Sequence, residues 1–111
     1  MPYNFAEVVL VPFPFTNLNA TKQRPAIVIS SAAYNQTRPD IILMAITSQI
    51  RPPFSIGETI LQDWHAAGLL KPSMIKPLIA TLEQNKIIKT MGQLAAPDST
   101  ALTQIIQTIL R

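Results

Sequence analysis

Arg24-Pro25-Ala26-Ile27-Val28-Ile29 reads as a β-strand that is apolar on both faces. Proline lacks an N–H, suits the first residue of a strand and drives the residue before it toward an extended backbone, so Arg24 stands at the strand's opening. On the N-terminal side, residues 8–11 (Val-Val-Leu-Val) form a similar strand, closed by Pro12-Phe13-Pro14, which cannot continue a central ladder. Between the two, residues 16–23 are polar apart from Leu18 and Ala20, and Asn17 and Asn19 suit left-handed turn conformations. That stretch is a surface loop. On the C-terminal side, residues 35–40 read as a turn and residues 41–46 as a third apolar strand ending in Thr47-Ser48-Gln49. Six successive apolar residues also fit a buried helix, but the flanking turn signals and the isoleucines favour a strand.

Farther out, residues 55–61 read as a fourth strand and residues 64–72 as a connecting segment with a turn at Gly68. Residues 73–82 read as a fifth strand, in which Pro77 implies an edge position, a bulge or an interruption. A short helical turn at 83–86 and a last strand at 87–94 follow. Six short strands at this spacing suggest a barrel. After Pro97-Asp98 the period changes: Ala101, Leu102, Ile105, Ile106, Ile109 and Leu110 share one helical face, with Asp98 as the expected N-cap. The fold class is therefore mainly β with a C-terminal amphipathic helix. The helix is expected to pack on the barrel, with a share in a dimer interface as a second role. One domain over residues 1–111 is expected, because no interior stretch has a linker's composition.

With 48% hydrophobic and 14% charged residues, the chain has ample apolar surface to bury and is far from a disordered composition. Its apolar runs are too short to span a bilayer and nothing resembles a signal peptide, which predicts a cytoplasmic protein without a membrane partner. The absence of cysteine excludes disulfides and thiolate chemistry. Six unclustered acids argue against two-metal catalysis, one histidine against a paired-imidazole mechanism, and three scattered glycines against a phosphate-binding loop. Neither metal nor cofactor is expected. A net charge of +3 favours an anionic partner, but the nine Lys and Arg residues are dispersed, so any basic face must be assembled by folding.

Polar residues at strand ends remain. If the second and third strands are antiparallel neighbours, Arg24 and Thr47-Ser48-Gln49 lie at the same end of the sheet, a guanidinium beside a hydroxyl. From geometry alone two readings stay open, since an Arg before a strand proline is commonly a solvated strand-end residue and a Thr hydroxyl serves equally to satisfy a backbone group.

Three successive stretches resemble the N-terminal motifs of MazF/PemK-type toxins: residues 7–16 (EVVLVPFPFT), residues 22–30 (KQRPAIVIS) and Ala45-Ile46-Thr47-Ser48-Gln49. Trp64, Ala67-Gly68-Leu69, Lys71-Pro72-Ser73, Thr81-Leu82 and Met91-Gly92-Gln93-Leu94 resemble the C-terminal half of the PemK-like branch. The resemblance implies an SH3-like β-barrel of the CcdB/PemK/MazF type, a homodimer, sequence-selective cleavage of single-stranded RNA, and inhibition by a cognate antitoxin with an acidic C-terminal segment. It makes Arg24 and Thr47 the catalytic pair and assigns the preceding loop, with Asn17, Asn19, Thr21, Lys22 and Gln23, to covering the RNA. The chain departs from the pattern in three places: Ala6-Glu7 stands where Gly-Asp is common, Asn19-Ala20 where the loop often holds glycine, and Lys76 near a further catalytic Arg, without the accompanying carboxylate.

RNA carries its own nucleophile, the 2′-OH, so such an enzyme needs only to align it, assist proton transfer and stabilise charge on the phosphoryl oxygens. Arg24 supplies a forked cationic donor and Thr47 a hydroxyl donor. Ser48, Gln49, Lys76 and Trp64 are candidate RNA contacts through base edges, phosphate and stacking, with core packing an equal reading for Trp64. The expected product is a 2′,3′-cyclic phosphate formed without metal, and the proton acceptor is unidentified. Two rivals stand: a CcdB-like toxin that traps DNA gyrase through its C-terminal helix, and a non-catalytic barrel that binds RNA or protein.

Overall fold

The computed structural model of the chain describes residues 3–12 and 22–110, so the expected RNA-covering residues Asn17, Asn19 and Thr21 lie outside the described residues. Its elements are β1 (Glu7–Pro12), β2 (Gln23–Val28), α1 (Ala32–Thr37), β3 (Asp40–Thr47), β4 (Thr59–Ile60), β5 (Met74–Glu83), β6 (Lys89–Gln93) and α2 (Ala96–Leu110), with a 3₁₀ turn at Gln84–Lys86. The strands pair antiparallel in the order β4-β5-β3-β2-β1-β6, a curled six-stranded half-barrel. No helix among the described residues is long and apolar enough to cross a membrane.

The uninterrupted apolar runs have a simple cause: both faces of the sheet are covered. Along each central strand alternate residues enter different cores. Val8, Ile27, Met44, Ile46 and Ile75 point to one side, where Leu102 is fully buried and Ile105, Ile106 and Ile109 of α2 pack on them. Val9, Val11, Ala26, Val28, Ile41 and Leu43 point to the other, against Tyr3, Ala80, Leu82 and Ile87. Each such fully buried Val, Leu or Ile contributes about 1.5–3 kcal/mol, which makes β1, β2 and β3 the firmest part of the molecule.

Four local expectations are corrected. Residues 35–40 are not simply a turn: α1 occupies 32–37, capped by the Ser31 hydroxyl, which accepts from the Tyr34 N–H at 3.2 Å. Asn35 is buried and ties the N-terminal segment down by donating to the Tyr3 carbonyl at 2.8 Å, so a turn-type residue is spent on a tertiary contact. The fourth strand shrinks to Thr59–Ile60, because only Ile75 and Met74 pair with it. The last strand is shorter than expected, Lys89–Gln93. Asp98 is not the N-cap but the third residue of α2; its buried carboxylate accepts from the N–H groups of Gln62 at 2.7 Å and Asp63 at 2.9 Å, fastening the connecting segment to the helix.

Pro77 proves to sit in a bulge. Met44 pairs with Ile79 and Ala45 with Lys76, which leaves Pro77 and Leu78 unmatched on β5. Between the sheet's two edge strands runs the segment 61–70. It reaches β6 through a hydrogen bond from the Gln93 N–H to the Ala66 carbonyl at 3.3 Å. Glycines permit the approach: Gly68 has φ +78°, a Cβ there would lie 2.0 Å from the Met91 carbonyl oxygen, and one on Gly92 would lie 2.6 Å from the Ala67 carbonyl carbon.

Candidate active site

Strand register decides where the polar strand ends meet. Ala26 pairs with Ala45, and following the antiparallel ladder two residues outward sets Arg24 across from Thr47. On the far side of β3, Thr47 pairs with Met74 and Ala45 with Lys76. Cross-strand partners share a face and alternate residues return to it, so Arg24, Thr47 and Lys76 leave the sheet on one side and at one end. Arg24 and Lys76 are exposed and Thr47 is half-buried.

These side chains open into a groove of about 510 Å³. Its lining brings together six of the residues expected from sequence: Lys22, Arg24, Thr47, Ser48, Gln49 and Lys76. Gln23, one position from the groove, is exposed and pairs with Pro12 outside that lining. Trp64 is also outside it; the indole packs against the core and stacks on the exposed His65 ring at 3.7 Å between centroids. Trp64 is half-buried, and its contact with the core agrees with the packing reading.

The Thr47 hydroxyl oxygen accepts from the Gln49 N–H at 3.1 Å. Satisfying that backbone group occupies a lone pair and leaves the O–H proton free to donate elsewhere, so the structural and the chemical readings of Thr47 hold together. Electrostatically the groove has one sign. Lys22, Arg24, Lys71 and Lys76 line it, and no carboxylate is present among the described lining residues. The ion pair found among the described residues, Arg38 with Asp40 at 3.3 Å, sits at the opposite end of β3, where the hydrogen bond to Asp40 holds the Arg38 guanidinium above its ordinary value. Among the described residues no three of His, Cys, Asp and Glu converge as a metal site would require. A concave, cationic surface carrying guanidinium and hydroxyl donors is suited to gripping a phosphodiester.

Sequence reasoning missed the groove's second wall. Leu10, Leu69, Leu70 and Met91 contribute an apolar surface, and Lys71 adds a cation. Leu10 and Met91 are far in sequence from Leu69-Leu70-Lys71, and although Leu69, Lys71 and Met91 stood in the family-like motifs, nothing in those motifs marked a groove wall.

A profile of the PemK-like, MazF-like toxins of type II toxin–antitoxin systems matches residues 4–110. Comparison with curated proteins gives no match. Among solved structures, a mycobacterial endoribonuclease in complex with its cognate antitoxin superposes with a TM-score of 0.77 at 15% identity, covering 97% of this chain and 94% of that one. The Mycobacterium tuberculosis toxin MazF-mt6 gives 0.72 at 17% identity over 92% and 93% of the two chains. A MazE–MazF crystal structure from Deinococcus radiodurans gives 0.74 at 17% identity over 99% and 96%. At these identities the superpositions speak for the fold.

Proposed function

This chain belongs to the PemK-like, MazF-like toxins of type II toxin–antitoxin systems, and on that premise we propose that it is a metal-independent endoribonuclease cutting single-stranded RNA at a preferred sequence. The observation that supports the reading is a groove lined by Arg24 and Thr47 together, with four cations and no carboxylate among its described residues. In the reaction the 2′-oxygen attacks the adjacent phosphorus, the bond to the 5′-oxygen breaks, and the products end in a 2′,3′-cyclic phosphate and a 5′-hydroxyl. Arg24 and Thr47 donate to the phosphoryl oxygens as charge builds, and Arg24 supplies a donor to the departing 5′-oxygen. With neither carboxylate nor imidazole in the described lining, the 2′-OH proton is assigned to water or to a substrate phosphate oxygen.

A homodimer and an acidic antitoxin segment complete the proposal. Ile56 in the segment before β4, Ile60 of β4, Leu78 and Ile79 of β5 and Leu110 at the end of α2 are exposed apolar residues, a surface suited to a second copy. The cationic groove suits an acidic peptide as well as RNA. The gyrase-trapping alternative is disfavoured because α2 spends its apolar face on the core.

Incubating the pure protein with a mixed RNA pool in EDTA and mapping the ends tests the reading. Cuts at one recurring sequence, each leaving a cyclic phosphate, are expected. Loss of all cleavage on adding EDTA would overturn the metal-free mechanism, and intact RNA without EDTA would overturn the nuclease reading altogether.

A further inference from the structure

The groove has two walls of different chemistry. One, from the ends of β2, β3 and β5, presents Arg24, Thr47 and Lys76; the other, from the segment after Gly68, presents Leu69 and Leu70 and ends in Lys71. A nucleotide has the same division, an anionic phosphate and an apolar base face. We propose that the base flanking the scissile phosphate is read on the Leu69–Leu70 wall, while Lys71 holds the neighbouring phosphate, so that this segment determines sequence preference for the endoribonuclease reading on which the inference rests.

Leu70 is 93% exposed, the most exposed large apolar side chain described, although it lies beside the buried Leu69 and faces a groove of cations. Singly exposed leucines are ordinary on protein surfaces, but this one stands where a polyanion must lie. No aromatic ring lines the described groove, so the aliphatic wall is the apolar surface there on which a base can be covered. The segment is also hydrogen-bonded on both sides of Leu70. The Gly68 N–H donates to the His65 carbonyl at 2.9 Å, the Leu69 N–H to the Trp64 carbonyl at 3.1 Å and the Leu61 N–H to the Ser73 carbonyl at 3.0 Å, while the buried Ser73 hydroxyl donates to the Lys71 carbonyl at 3.0 Å. Pinned on both sides, Leu70 and Lys71 are held in place before the ligand arrives, which reduces the ordering cost of binding.

Leu70→Ala, Leu70→Glu and Lys71→Gln are compared with the parent protein in two measurements: the map of cut sites in a mixed RNA pool, and the affinity for a 2′-O-methyl version of the parent's preferred sequence as salt is varied. Because both side chains are exposed, melting temperatures should be unchanged. Leu70→Ala should raise KM several-fold and relax base preference at one position beside the cut, and Leu70→Glu should raise KM at least tenfold. Lys71→Gln should weaken binding to all sequences alike and make the log-affinity against log-salt slope shallower by about 0.7, one phosphate contact on a single strand. A Leu70→Glu protein that keeps the parental cut map and KM would overturn the inference, leave the nuclease reading intact and assign the exposed leucine to a protein partner. A parent protein that cuts no RNA would overturn both.

Discussion

The Thr47 hydroxyl oxygen accepts from the Gln49 N–H, which leaves its proton available to a ligand in the groove that Arg24 also lines. Thr47→Val keeps the shape and removes that proton, so cleavage should fall about 10²–10³-fold, the scale of one lost transition-state donor, with Thr47→Ser recovering most of it. Arg24→Ala should abolish cleavage with an unchanged melting temperature, and Arg24→Lys should restore little, since a point charge does not reproduce the fork. Single-turnover rates check all four; a folded Arg24→Ala protein with parental rates would place the chemistry elsewhere. The strand-end placement of both residues was legible in the sequence because Pro25 and the polar run 47–49 mark strand ends, while their catalytic role was implied by the family resemblance alone. Leu70 and Lys71 were not, since nothing local distinguishes a groove wall from a solvated loop. Ala6 sharpens a mark that the sequence did show. It stands where the family resemblance leads us to expect glycine, and its φ is +72°, a left-handed backbone costing an alanine about 1–2 kcal/mol. Hydrogen bonds from the Ala6 N–H to Val28 at 2.8 Å and from the Leu94 N–H to Ala6 at 3.0 Å hold it there.

At the scale of elements, the long apolar strands and the amphipathic α2 were readable because hydrophobic period persists over many residues. Helix α1 was not, because six residues give less than two turns of pattern, and β4 was not, because its two residues are defined by their partners on β5. Pro77 announced a break in β5 but not its form; the bulge is set by which residues β3 offers opposite it. The contact between segment 61–70 and β6 depends on two glycines whose importance is invisible without that neighbour. Gly68→Ala should destabilise the protein by more than about 3 kcal/mol, since a methyl group 2.0 Å from a carbonyl oxygen forces the backbones apart and the φ is unfavourable as well. Urea denaturation measures it, and a change below about 0.5 kcal/mol would show that the segment is free to withdraw.

For the molecule as a whole, folding converts a dispersed charge pattern into a local one: Lys22, Arg24, Lys71 and Lys76 come from separate stretches of chain to one groove, while the Arg38–Asp40 pair sits at the other end of β3. The net charge of +3 announced an anionic partner but not its address. If all four groove cations meet phosphates, the affinity for single-stranded 2′-O-methyl RNA should fall with salt at a log–log slope near about −3; a slope shallower than about −1 would mean that most of them do not. Arg24 and Thr47 stand at the ends of strands whose side chains fill both cores, whereas Leu70 and Lys71 are exposed residues of a connection anchored in one core by Leu61, Ala67 and Leu69. Substitutions at the exposed Leu70 and Lys71 therefore leave the fold alone, whereas those at Gly68 or the buried Leu61, Ala67 and Leu69 do not. On the proposed reading, a lineage built this way acquires new target sequences by rewriting a few exposed positions such as Leu70 and Lys71, while Arg24 and Thr47 stay as they are.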